Sequence, residues 1–174
     1  SPHAKALVLE GDGKVFLPKT PDSLDPAHKP LLVGAWCKPA ASGGAVVGMG
    51  GQSQGFCLFL DDGAKACFAV RGDGRLHHLS SPEAVPLDTW THLAGAVDAG
   101  GEMTLYVNGR PVASAKGGLI TAKPADEFSV GAEDGSPVAE YTKPPKWKGQ
   151  LADVRVYWGP AREDVLADWA TAPN

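Results

Sequence analysis

Along most of this chain apolar and polar residues alternate with a period of two, in short runs broken by Gly, Pro, Asn and Asp. Such alternation puts one face of each run toward a core and the other toward solvent, which is the pattern of antiparallel strands. It predicts strands at 6–9, 31–37, 45–49, 56–60, 66–70, 76–79, 90–97, 104–107, 112–113, 128–132 and 151–157. The turns between them are Asp61-Asp62-Gly63, Gly72-Asp73-Gly74, the stretch 98–101 and Asn108-Gly109. Asn-Gly is the strongest of these, because both residues accept the positive φ that a two-residue hairpin demands. Only the tail reads as a helix. It opens at Gly159-Pro160, carries Glu163 and Asp164 in its first turn, and lines up Val165, Leu166 and Trp169 on one face. Stretches 18–30 and 133–148 fit neither period, and the second holds Pro137, Tyr141, Pro144 and Pro145. A long Pro-stiffened loop on a strand scaffold is a natural place for function. The expected fold is all-β: a two-sheet antiparallel jelly-roll sandwich with a short C-terminal helix, one domain over 1–174.

Composition supports that picture. The 174 residues include 22 Gly and 15 Pro, about a fifth of the chain, with no collagen-like period, which suits many short strands joined by tight turns. A formal charge of −4 makes nonspecific nucleic-acid binding a poor expectation, since phosphate neutralisation drives it. No apolar run reaches the ~18 residues of a membrane span. The start, Ser1-Pro2-His3-Ala4-Lys5, has no signal-peptide architecture, and strand-like sequence follows at once. That reads as a module cut from a larger parent. Cys37, Cys57 and Cys67 have no metal-finger spacing. A three-residue hairpin loop at Asp61-Asp62-Gly63 would set Cys57 opposite Cys67 at disulfide distance, while a two-residue Asp62-Gly63 turn would separate them. Two buried thiols are the simpler reading, and Cys37 reads as core.

Several local motifs carry candidate chemistry. Gly51-Gln52-Ser53-Gln54-Gly55 matches G-x-S-x-G, but a nucleophile elbow must open a helix, and here a strand follows. It reads as a polar turn. Arg71-Gly72-Asp73 is an Arg-Gly-Asp tripeptide whose residues are equally good turn chemistry. Arg71, Arg75, His77 and His78 gather donors within eight residues. Arginine forks match carboxylate and sulfate, so a charged sugar is a candidate ligand, while alternation lets at most one of the two histidines join the arginines. Ordinary surface basicity is the plainer alternative.

Four segments resemble, in order, the laminin-G-like modules of the concanavalin A-like lectin/glucanase superfamily. Leu7-Val8-Leu9-Glu10-Gly11-Asp12-Gly13 is similar to the first strand, and Val33-Gly34-Ala35-Trp36-Cys37-Lys38-Pro39 to the family's "sAW-x-KP" strand. Trp90-Thr91-His92-Leu93-Ala94-Gly95-Ala96-Val97-Asp98, continued by Leu105-Tyr106-Val107-Asn108-Gly109-Arg110-Pro111-Val112, is the most specific match. Trp147-Lys148-Gly149-Gln150-Leu151-Ala152-Asp153-Val154-Arg155-Val156-Tyr157 resembles the closing strand.

The resemblance implies a noncatalytic module that binds carbohydrate or protein, often appended to exported bacterial enzymes such as sulfatases and glycoside hydrolases. It also implies a calcium ion on the sandwich edge, held here by a backbone oxygen near Glu10 and the carboxylate of Asp153, an oxygen set that suits calcium. Two departures stand out: Ala152-Asp153 replaces two acidic residues, and Glu10-Gly11 replaces Asp-Gly. The glucanase members need paired carboxylates on one sheet face, and this chain has no such strand. Trp36, Trp90 and Trp147 occupy core positions of the family, Trp169 lies on the apolar helix face, and His92 reads as a structural strand residue. Trp158 and Tyr141 are then the candidates for exposed platforms against a sugar ring.

The expected function is therefore a lectin-like accessory module without catalysis, extracellular or periplasmic. Its ligand would be a carbohydrate, an acidic or sulfated glycan among the candidates, contacted by Arg71, Arg75, His77, Tyr141 and Trp158. The alternative is a structural or docking module that positions a catalytic domain of the same parent chain without binding sugar.

Overall fold

Alternating burial closes the chain into two six-stranded antiparallel sheets. The computed structural model describes residues 5–141 and 146–171, so Pro144 and Pro145 lie outside the described residues. In spatial order the first sheet carries β1 (Leu7–Glu10), β12 (Lys148–Tyr157), β3 (Leu31–Pro39), β8 (Thr91–Val97), β9 (Glu102–Val107) and β10 (Arg110–Lys116). The second carries β2 (Val15–Phe16), β11 (Ser129–Val130), β4 (Gly44–Gly50), β5 (Gly55–Leu60), β6 (Lys65–Gly72) and β7 (Arg75–Ala84). Together they form the jelly-roll sandwich that the periodicity predicts.

The core fills the space between the sheets. Val33, Leu93, Val97, Met103 and Leu105 come from the first sheet, and Phe56, Leu58, Leu60, Phe68 and Val70 from the second, all in one buried cluster. Gly95 sets the spacing, since a Cβ there would stand 2.4 Å from the Phe68 ring. The Asn108-Gly109 hairpin forms as its sequence demands, with φ of 50° and 75° and Val107 opposite Arg110. β7 runs further than alternation suggests because it is an edge strand, where Pro82 forfeits no ladder bond.

Each sheet also has an outer apolar face, and each is covered. On the first sheet, α1 (Glu163–Trp169) lays Leu166 and Trp169 over Leu32, Ala94 and Ala96. The Trp36 indole donates to the Trp169 carbonyl at 3.0 Å and ties the helix down. On the second sheet, Val138, Ala139 and Tyr141 lie across Ala45, Cys57, Phe59, Cys67 and Ala69. The described part of the late loop, through Tyr141, is thus a strap packed on a sheet face.

Neither of the two registers open to the sequence forms at the Cys57–Cys67 hairpin, although the two cysteines do stay apart as buried thiols. The hairpin loop falls one residue later, on Asp62, Gly63 and Ala64, with Asp61 N–H donating to the Lys65 carbonyl at 3.0 Å. Ala64 takes a left-handed φ of 59° to close it. The ladder then pairs Cys57 with Ala69 and Cys67 with Phe59, and all three cysteines are free and buried. Burial pushes each thiol upward, Cys67 to about 11.

Beneath the strap lies a buried acid. Glu133 accepts the Val138 N–H at 2.8 Å, and its carboxyl neighbours the Cys57 thiol and the Tyr141 hydroxyl. Burial pushes the Glu133 carboxyl up to about 7. A folded-state pKa above the unfolded one means that the folded protein holds the proton more tightly. Its stabilising contribution is therefore full in acid and is lost as pH rises through 7.

Two outcomes follow for this architecture. Glu133→Gln should raise unfolding stability by about 2 kcal/mol at pH 8 and by almost nothing at pH 4.5, as read by urea titration. Equal gains at both values would show that Glu133 does not carry the shift. Gly95→Ala should cost about 2 kcal/mol at either pH by overpacking against Phe68, and an unchanged urea midpoint would show that the ring can yield.

Candidate functional site

Strand alternation and one tight turn build an open groove at one end of the sandwich. β6 and β7 are joined by Asp73-Gly74, with φ of 51° and 76°, and Gly72 stands opposite Arg75. From that register, Arg75 and His77 point the same way as the core residue Leu79, but at the end of the strand where no core remains. They line a cavity of about 540 Å³ whose other walls are the β8–β9 turn, the segment after β10, and His28.

Glycine keeps that cavity open. Gly100, Gly101, Gly117 and Gly118 line it, and a Cβ on Gly118 would sit 3.6 Å from His77 Nε2. Gly72 is required for a closer reason: a Cβ there would meet the Leu119 carbonyl oxygen at 2.5 Å. One wall is braced by a polar network. Gln54 Nε2 donates to Asp73 Oδ1 at 3.0 Å and to Thr121 Oγ1 at 2.8 Å, and the Thr121 hydroxyl donates to Asp73 at 2.6 Å. The Thr121 N–H returns a bond to Gln54 Oε1 at 3.0 Å. The Asp73 carboxylate is thus engaged by the wall, while Arg75 and His28 are exposed and His77 half-buried at the cavity. The Asp73 carboxylate keeps its charge, since Gln54 and Thr121 are both neutral, and beyond it the Arg75 guanidinium and the two imidazoles form a donor-rich face suited to a carboxylate or sulfate.

The structure brings together only part of the expected site. Arg75 and His77 converge. Arg71 pairs with Leu76 and so projects from the opposite sheet face, where it donates to the Val138 carbonyl and, at 2.9 Å, to the Gly74 carbonyl. Its role is to brace the strap and its own hairpin, a correction to its place among the ligand-binding residues. His78 shares that outer face and stacks on Phe59 at 5.7 Å.

Neither proposed platform is open. The Tyr141 hydroxyl donates to Cys57 Sγ at 3.3 Å, and its ring meets Phe59 edge-on with centroids 5.0 Å apart. Burial drives its pKa upward. The Trp158 indole donates to the Ser23 carbonyl at 2.7 Å, and the Lys29 ammonium lies over its ring at 5.8 Å. Both rings are half-buried packing residues because the chain had apolar surface there to cover.

The edge pair also separates. Glu10 pairs with Lys148, whereas Asp153 sits in a β12 bulge beyond the Ala152–Trp36 pair, with φ of 48°. Five positions along a strand is about 16 Å. Glu10 and Asp153 therefore do not fit a shared calcium ion. Among the described residues, no group of three or more His, Cys, Asp or Glu side chains is placed to hold a metal. His92 is structural as expected: buried, edge-on to Trp36 at 5.5 Å, and driven down to about 4, chiefly by burial.

Sequence reading missed His28 and the Gly117-Gly118 floor. His28 belongs to the irregular stretch 18–30 and reaches the groove because its N–H bonds the Ile120 carbonyl at 2.8 Å. The Gly doublet falls between two predicted strands, and its place beneath His77 depends on the second sheet.

Solved structures of the same fold include carbohydrate-binding modules. The CBM40 module of the Ruminococcus gnavus IT-sialidase, bound to α2,3-sialyllactose, superposes with a TM-score of 0.73 at 16% identity, over 97% of this chain and 98% of that one. Domain 4 of an extracellular arabinanase from Geobacillus stearothermophilus, in complex with arabinotriose, gives 0.69 at 21% identity over 95% and 76%. A SAP-like pentraxin from Limulus polyphemus gives 0.62 at 20% identity over 91% and 81%. At these identities the likeness establishes the fold. No curated protein matches the chain. Among the described residues no helix is long and apolar enough to cross a membrane. The family comparison is direct: residues 9–164 match the Laminin_G_3 family, and the chain belongs to this branch of the concanavalin A-like lectin/glucanase superfamily.

Proposed function

We propose that this chain is a noncatalytic, lectin-like module that binds an acidic glycan, carboxylated or sulfated, in the groove between the Asp73-Gly74 hairpin and the β8–β9 turn. The observation that carries the reading is the convergence of Arg75, His77 and His28 over a glycine floor. Arg75 supplies a two-pronged donor for the anionic group, the imidazoles supply further donors, and the glycines let a sugar ring approach the backbone. Binding of this sort needs shape and hydrogen bonds, and no activated acid or nucleophile. The sialyllactose and arabinotriose complexes of the fold relatives support a sugar as the ligand class. In this reading the module serves a larger exported protein, extracellular or periplasmic, and holds a catalytic domain of the same chain, such as a sulfatase or glycoside hydrolase, near its substrate.

A second reading has its own observation. Val8, Val15 and Phe16 stand 59%, 49% and 46% exposed on the edge strands β1 and β2. An apolar edge of this kind suits packing against a neighbouring domain, so docking and sugar binding can belong to different sides of one module.

Glycan-array screening followed by calorimetry tests the groove. Acidic glycans should bind and neutral ones should not. Arg75→Ala should weaken binding at least tenfold with an unchanged melting temperature. Gly118→Val, which fills the groove and keeps every charge, should weaken it as much. Binding by neither class, or full affinity in both variants, overturns the groove reading and leaves the docking reading.

A further inference from the structure

A second polar cavity adjoins the first, and the G-x-S-x-G turn lines it. Its volume is about 350 Å³, and its walls include Gln52, Ser53, Gln54, Lys123, Asp126 and Ser136. The turn itself is tight, with the Gly51 N–H donating to the Gln54 carbonyl at 2.9 Å, which leaves Gln52 and Ser53 exposed at its tip. This turn joins β4 to β5, so Ser53 has no helix beneath it and none of the surroundings of a nucleophile.

The two cavities are neighbours by construction. The Gln54–Asp73–Thr121 network is the partition: Gln54 lines the second cavity, Asp73 and Thr121 line the first, and one hydrogen bond joins Gln54 to Asp73 and two join it to Thr121. A backbone bond from the Gly74 N–H to the Ser53 carbonyl, 2.8 Å, locks the two rims together. One partition, one hydrogen bond thick, separates two recesses at the same end of the sandwich.

Their chemistry differs. The first presents Arg75, His77 and His28. Among the described residues that line the second, the single ammonium is Lys123, and it is already paired with Asp22 at 2.6 Å. Asp126 Oδ2 accepts both the Ser136 N–H and the Ser136 hydroxyl at 3.0 Å, which holds that carboxylate in a fixed orientation. Gln52, Ser53 and Ser136 add amide and hydroxyl groups. A mixed donor and acceptor set of this kind, in which the Asp126 carboxylate keeps its charge because Ser136 is neutral, suits the hydroxyl groups of an uncharged sugar and repels a second anion.

Resting on the groove reading above, we infer that the ligand is an oligosaccharide and not a single sugar. Its acidic unit lies in the Arg75 cavity, and an adjoining neutral unit crosses the partition into the Gln52–Asp126 cavity. The polar turn that mimics a hydrolase motif is, in this account, the wall of a neutral-sugar subsite.

The test uses the whole chain and pairs of probes taken from the acidic glycans: each acidic monosaccharide, and the disaccharide or trisaccharide that joins it to a neutral sugar. Calorimetry should show the oligosaccharide binding at least tenfold more tightly than the monosaccharide. Gln52→Ala with Ser53→Ala, at two exposed turn positions, should remove most of that advantage and leave monosaccharide affinity unchanged. Arg75→Ala should weaken both lengths alike. Equal affinity for both lengths, or an unaltered advantage in the double variant, overturns the second subsite. In that event a loss on Arg75→Ala still upholds the first groove, whereas no acidic glycan bound at any length removes both. A drop in the double variant's melting temperature would be resolved by Gln52→Glu, which keeps the turn and should still lower oligosaccharide affinity; unchanged affinity there also overturns the subsite.

Discussion

Strands β5 and β6 are apolar on both faces, and that constraint governs the rest of the molecule. Phe56, Leu58 and Leu60 face the core, while Cys57 and Phe59 on the same strand face outward, and all six residues of β5 are buried. An outer face of this kind cannot be left in water at a cost of roughly 25 cal/mol for each Å² of apolar surface. The strap of Val138, Ala139 and Tyr141 covers it, and Arg71 is drawn from the solvent-facing set to hold the strap. Helix α1 likewise covers Leu32, Ala94 and Ala96 of the other sheet, so packing takes up the apolar part of each outer face. The proposed groove lies at the end of the sandwich, where the strands stop and polar turns meet.

The same covering explains why Tyr141 and Trp158 are packed while Arg75 and His77 stay at the groove. An aromatic ring near uncovered apolar surface gains more by packing there than by waiting for a sugar. Tyr141 covers Phe59, and Trp158 lies under Lys29. At the sandwich end there is no such surface, so Arg75 and His77 remain at the cavity and the glycines of the neighbouring turns leave room in front of them. The same logic makes the buried Glu133 a structural liability above neutral pH. Its place is beneath the strap, with no part in the groove.

The chemistry of the groove depends on how the walls spend their charges. Asp73 stands beside Arg75 in sequence and would neutralise it in a simple charge count. Gln54 and Thr121 hold its carboxylate within the partition. Lys123 is tied in the same way to Asp22. The first recess keeps the donor-rich face of Arg75, His77 and His28, and the second keeps the Asp126 carboxylate, a distinction invisible in the overall charge of −4.

Local pattern determined a great deal by itself. The two-fold periodicity located every long strand, Asn108-Gly109 forced its hairpin, and the apolar face of the tail announced the helix. These depend on neighbouring residues and on backbone preferences that are the same in any fold. The alternation around the β6–β7 turn even placed Arg75 and His77 on one face and His78 on the other. What alternation cannot supply is which face of a sheet will be covered, or which distant segment lies opposite. The one-residue shift of the 61–65 loop separated Cys57 from Cys67, and the β12 register parted Glu10 from Asp153. His28 reached Arg75 across the sandwich end, and Arg71 was claimed by the strap. Those outcomes were decided by the tertiary structure, because burial and close approach between residues far apart in the chain have no local signature.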